Sequence, residues 1–99
     1  MEIKSLKALA HPVRRQIMVE LRSGAKTSGE LSSVFDATWP TVSRHLAILK
    51  EAELITSERH KTSILYRANT SVLEDAAAAV LALIGAEDED DSDMEEAAE

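Results

Sequence analysis

Residues 27–50 constrain this chain more than any other stretch. They hold two helix starts separated only by a short turn. Thr27-Ser28-Gly29-Glu30 has the capping-box pattern: Thr27 accepts from the third helical amide and Glu30 reaches back. Leu31, Val34 and Phe35 give the short helix that follows an apolar face. A turn near Asp36-Ala37 comes next, and Thr38 caps a second helix with Trp39, Pro40 and Thr41 in its first turn. Val42, Leu46 and Leu49 form its inward face, while Thr41, Arg44, His45 and Ile48 oppose them. Two short capped helices joined by a tight turn are a helix-turn-helix.

The flanks complete an architecture. A first helix runs from about Ile3 to Leu9, with Ile3 and Leu6 on one face. His11 reads as a local cap, and Pro12 opens a second helix over about 12–22. Val13, Ile17 and Leu21, with Met18 beside them, make its stripe, and Ser23-Gly24 ends it. Arg14 and Arg15 on that helix are expected to pair with acids. Residues 55–60 and 63–68 alternate as a β-hairpin, whose Lys61-Thr62 turn lacks glycine or asparagine and leaves the turn type open. Ser71-Val72-Leu73-Glu74 reads as another capping box, opening an alanine-rich helix over about 71–84. Leu73, Ala77, Val80, Leu81 and Ile84 lie down one side of it. A helix-turn-helix followed by a hairpin is the winged variant. The expected fold is therefore mainly α (α+β), a winged helix-turn-helix of five helices with a two-stranded β-hairpin wing.

Charge divides the chain. The formal net charge is −7, yet nine of the 18 acidic residues lie between Glu87 and Glu99. Residues 1–84 set the other nine acids against all 11 Lys and Arg, a net of +2. We expect a slightly basic folded domain over 1–84 and an acidic, disordered tail over 85–99. Charge distribution, not its sum, decides whether nucleic acid is a candidate partner. The absence of cysteine excludes disulfides, thiolate metal sites and thiol nucleophiles. The longest apolar run, 76–86, is far below the ~20 residues that span a bilayer. No signal peptide is evident, so a cytoplasmic location is expected.

The start of the helix from Thr38 suits DNA. Its free amides and dipole attract phosphate. A recognition helix presents its N-terminal residues to base edges. Arg44 has the fork to contact guanine O6 and N7 bidentately, worth ~1–3 kcal/mol of discrimination. Thr41 and Ser43 can bond bases or phosphates, and His45 either contacts phosphate or packs against the hairpin. Catalysis gets no support: Ser43-Arg44-His45 is a helical run whose side chains point in different directions. There is no phosphate loop and no recognisable nucleophile elbow.

The stretches "LKALAHPVRRQIMVEL" (6–21), "TSGEL" (27–31), "PTVSRHLAILKEAELI" (40–55) and "ILYRAN" (64–69) resemble the ArsR-type winged-helix repressors. The resemblance covers nearly all of residues 3–84. It implies a homodimer built mainly on the first and last helices, here through Ile3, Leu6, Leu73, Ala77, Val80, Leu81 and Ile84. It implies double-stranded operator DNA as partner. Base contacts would come from Trp39, Pro40, Thr41, Ser43 and Arg44, with His45 beside them. Backbone or minor-groove contacts would come from the wing, at Arg59, His60 and Lys61. Many relatives sense metals through a Glu-Leu-Cys-x-Cys-Asp pattern, but here the stretch is Glu30-Leu31-Ser32-Ser33-Val34-Phe35-Asp36. The last helix has Glu74 and Asp75 without the histidine other relatives use. The sequence is thus most similar to the metal-independent autorepressor branch, with no cofactor and with a protein inducer or anti-repressor in place of an ion. Two rivals stay open: a winged-helix interaction module that does not bind DNA, and a metal sensor with oxygen and imidazole ligands. For Trp39 two roles stay open as well, a lid over the turn or an apolar contact to a thymine methyl.

Overall fold

The computed structural model describes residues 3–85, with side chains from Lys4 onward. The tail 86–99 and the side chain of Ile3 lie outside the described residues. Five helices and three strands follow one another: α1 (Ile3–Ala8), α2 (Pro12–Glu20), β1 (Lys26–Thr27), α3 (Ser28–Ser32), α4 (Trp39–Glu51), β2 (Ile55–His60), β3 (Ser63–Ala68) and α5 (Thr70–Ala82). The winged helix-turn-helix is present. Its sheet has three antiparallel strands in the order β1-β3-β2 where two were expected. The added strand is only Lys26–Thr27, which pairs Lys26 with Tyr66 and Thr27 with Leu65. Two residues carry no alternation signal, so nothing local announces it.

Each helix boundary has a physical cause. Pro12 sits in the first turn of α2, where its missing N–H costs nothing, and the His11 Nδ1 accepts from the Val13 amide at 3.1 Å. The expected α2 narrows to a 3₁₀ turn over Leu21–Ser23, and Gly24 at φ 139° turns the chain out of it. The α3 capping box is complete: Glu30 N–H donates to Thr27 Oγ1 at 3.1 Å, and Thr27 N–H donates to Glu30 Oε1 at 2.8 Å. Two other expected caps are corrected. Thr38 precedes α4, but its hydroxyl faces the Thr41 hydroxyl at 3.2 Å instead of capping. At α5 the helix begins one residue earlier than expected. Asn69 holds the cap position, and Ser71 donates to Asn69 Oδ1 at 3.1 Å rather than forming a box with Glu74.

The core joins all layers. Ile17, Met18 and Leu21 meet Leu31, the α4 stripe Val42, Leu46 and Leu49, and then Leu54, Ile55 and Tyr66. Phe35 packs against this core, but Val34 is 44% exposed and leaves the expected α3 face. α3 ends at Ser32, so both residues follow it in the turn, and only Phe35 packs back on the core. Burial of the α4 stripe fixes that helix's rotation and therefore decides which of its side chains meet solvent.

Candidate nucleic-acid interface

Helix α4 is anchored along one broad side, which takes in two residues expected on the opposing face: Ile48 is half-buried and packs against the core, and His45 is held against α2. With Val42, Leu46 and Leu49 inward, Thr41 and Arg44 stand exposed and share a face at i, i+3 spacing. Ser43 and His45 are half-buried, Ser43 on a different side of the helix from Arg44. Pro40 and Trp39 are exposed at the N-terminal end. Trp39 is 40% exposed and is not among the side chains packed on the core. Arg44 holds no ion pair among the described residues.

The polar and aromatic contacts of His45 go to α2 and its cap. Its ring lies against His11, centroids 4.4 Å apart, and its Nδ1 is 3.3 Å from Arg14 Nη1. A guanidinium only donates, so Nδ1 of His45 accepts and the ring proton sits on Nε2. Burial lowers the His45 pKa below the ordinary imidazole value, and the guanidinium groups of Arg14 and Arg44, with any charge on His11, lower it further. In the free protein at neutral pH His45 is therefore an uncharged Nε2–H donor.

Arg14 and Arg15 are structural, but among the described residues their partners are carbonyls and not acids. Arg14 Nε donates to the Ala8 carbonyl at 2.6 Å, and Arg15 Nη1 donates to the Leu9 carbonyl at 2.9 Å. The end of α1 carries carbonyls without helical donors and a partial negative charge, so it recruits both guanidinium groups. Sequence reasoning missed that this places Arg14 beside α4. His45 and Arg14 are far apart in the chain, and no local spacing encodes their meeting.

The wing projects from the same domain. β2 and β3 pair from Ile55 with Ala68 to His60 with Ser63. Arg59, His60 and Lys61 are exposed at its tip. Lys61 has φ 61° while Thr62 is not in the left-handed region, the sign pattern of a type II′ turn. The one ion pair there, Arg67 with Glu58 at 3.9 Å, is exposed on both sides and worth little.

A separate apolar groove of about 380 Å³ runs between α1 and α5. Leu6, Leu9, Leu73 and Ala76 line it, with Ala77, Val80 and Leu81. Val80 and Leu81 are 46% and 42% exposed. Ala76, not Ala77, is the buried alanine, and Ile84 lies beyond the end of α5, exposed. Among the described residues no three His, Cys, Asp or Glu side chains group to hold a metal ion. No described helix is long and apolar enough to cross a membrane.

Residues 11–57 match the bacterial regulatory proteins of the arsR family. The chain is 39% identical over 84 residues to the transcriptional repressor SdpR of Bacillus subtilis, covering 85% of this chain and 93% of that protein. This chain belongs to the ArsR family. It is also 44% identical over 62 residues to the HTH-type transcriptional repressor SmtB of Mycobacterium tuberculosis, covering 63% of this chain and 46% of that protein. Among solved structures, an ArsR-like transcriptional regulator from Rhodococcus sp. RHA1 superposes with a TM-score of 0.76 at 27% identity, covering 98% of this chain and 87% of the other. An ArsR-family chain on this fold is a transcription regulator and not an enzyme.

Proposed function

We propose that this ArsR-family chain is a homodimeric, sequence-specific repressor, acting at an operator in its own upstream DNA and without a metal ion. The observation that supports it is the one-sided anchoring of α4. Its inner stripe is buried, and the outer face offers Thr41 and an Arg44 with no ion pair among the described residues. Arg44 is the principal base reader in this reading. Ser43 and His45 contribute polar contacts, while Trp39 and Pro40 supply apolar contact near a thymine methyl. Arg59, His60 and Lys61 meet the backbone or minor groove. The α1–α5 groove, with Leu6, Leu73, Ala77, Val80 and Leu81, joins two copies so that their recognition helices stand about 34 Å apart. Ser32 and Val34, where metal-sensing relatives place thiolates, favour release by a protein inducer.

Titration of the protein against its upstream DNA at several salt concentrations tests this. Specific affinity should fall linearly in log–log form with salt. Arg44→Ala should remove about 1–3 kcal/mol of specific binding and leave non-specific binding less affected. An unchanged ratio of specific to non-specific affinity would remove Arg44 from base reading. Failure to bind any upstream duplex would favour a winged helix that docks proteins.

A further inference from the structure

A cleft of about 470 Å³ opens between the start of α2 and the first turns of α4. Its polar lining is His11, Arg14, Thr41, Arg44 and His45, with no carboxylate among the lining residues. The hydrogen bonds already made there fix what remains on offer. His11 spends Nδ1 on the Val13 amide, so its neutral ring carries the proton on Nε2. His45 spends Nδ1 on Arg14, so its proton is on Nε2 too. Arg14 uses Nε on the Ala8 carbonyl and one Nη1 hydrogen on His45, leaving three of its five N–H groups. Arg44 has no ion pair among the described residues, and Thr41 adds a hydroxyl. Donors from two helices therefore converge on one cleft, with two permanent positive charges and no acidic partner among the described residues.

From this arrangement we propose that the cleft is a seat for a phosphate group, held by Arg14, Arg44 and the Nε2–H groups of His11 and His45. Phosphate oxygens accept several charge-assisted bonds at once, and a guanidinium matches them bidentately. Burial and positive neighbours depress the His45 pKa in the free protein. A bound anion reverses the sign of the dominant nearby charge, so occupancy raises it. The phosphate has two sources: the DNA backbone beside the recognition helix, or a small phosphorylated molecule that competes with DNA for Arg44. The first source rests on the proposed DNA-binding function, whereas the seat itself does not.

The test uses the full chain without DNA, titrated with inorganic phosphate at constant ionic strength while NMR follows its imidazoles. The chain has three histidines, and His60 on the wing serves as an internal control. The His11 and His45 signals should move together and saturate, with the His45 pKa rising, while His60 stays still. His11→Asn keeps an acceptor for the Val13 amide and removes the Nε2 donor, so it should weaken phosphate binding roughly tenfold in a folded protein. Parallel drift of all three imidazoles, or none, overturns the seat. A second arm identifies the source. If the backbone phosphate occupies the seat, His11→Asn weakens a mixed-sequence duplex and the upstream duplex by the same factor. If a small phosphorylated molecule does, His11→Asn leaves duplex affinity unchanged, and inorganic phosphate still competes with DNA in the wild type. A chain that binds no duplex but saturates with phosphate retains the seat and refutes the DNA-binding reading alone.

Discussion

His45 ties α4 to the rest of the domain through a titratable contact. Its ring is held against His11 and Arg14, and its folded pKa is depressed by burial and by positive neighbours. The unfolded chain binds that proton more readily, so stability rises with pH across the window between the folded pKa and about 6.5. The contribution is present above that window and is lost as the pH falls through it. Denaturant midpoints should therefore drop between pH 7 and pH 5, and His45→Gln, which keeps an acceptor for Arg14, should flatten that drop. Glu30 acts lower on the scale. Its pKa is held down first by the Thr27 backbone N–H, so its share survives until the pH falls below about 4.3. A midpoint in His45→Gln as steep in pH as the wild type's would show that His45 does not carry the drop. The two groups also mark what a single sequence discloses. Thr27 and Glu30 are three residues apart, and the capping box was legible because its chemistry is local. The His45–Arg14 contact depends on how α2 crosses α4, which no spacing records.

At the scale of an element, the end of α4 shows how a charged residue can occupy a glycine's position. Ala52 caps the helix and Glu53 follows at φ 64°. Glu53 N–H donates to the Lys50 carbonyl at 2.9 Å, and Leu54 N–H donates to the Leu49 carbonyl at 3.0 Å. This is the Schellman pair, and Leu49 and Leu54 supply its apolar contact, both fully buried. A side chain in the left-handed region costs about 1–2 kcal/mol, part of which glycine returns as chain entropy. Glu53→Gly should therefore stabilise the protein by about 0.5–1 kcal/mol in chemical denaturation. DNA affinity should stay the same, since Glu53 is remote from the exposed Thr41–Arg44 face. A loss of stability would mean that Glu53 makes a compensating contact. Elements with strong periodicity were legible throughout: the α4 stripe and both hairpin strands fall where alternation placed them. The start of α5 was not. Ser71 and Glu74 have capping-box spacing, but the chain leaving β3 reaches helical geometry one residue sooner, at Thr70, and strands that box inside the helix.

At the scale of the molecule, one apolar surface finds no partner among the described residues. α5 is rich in alanine and leucine, yet only Ala76 is buried, and Val80 and Leu81 stay nearly half exposed along the groove with α1. A domain this small gains little from its own core, so burial of this groove against a second copy, as proposed, would add stability that scales with protein concentration. Leu81→Glu tests the dimer with little disturbance to the protomer, because Leu81 contributes little to the internal core. A two-fold axis through the groove would bring the two introduced carboxylates into the same apolar contact, where desolvated like charges repel. The variant should run as a folded monomer in sedimentation, and its thermal midpoint should no longer depend on concentration. Its affinity for a two-half-site operator should fall by roughly 10²–10⁴, because the second half-site is no longer bound intramolecularly. Affinity for a single half-site should change little, since α4 and the wing are untouched. A Leu81→Glu chain that stays dimeric would move the interface off this groove. A monomer that kept full affinity for the two-half-site operator would separate dimerisation from DNA recognition altogether.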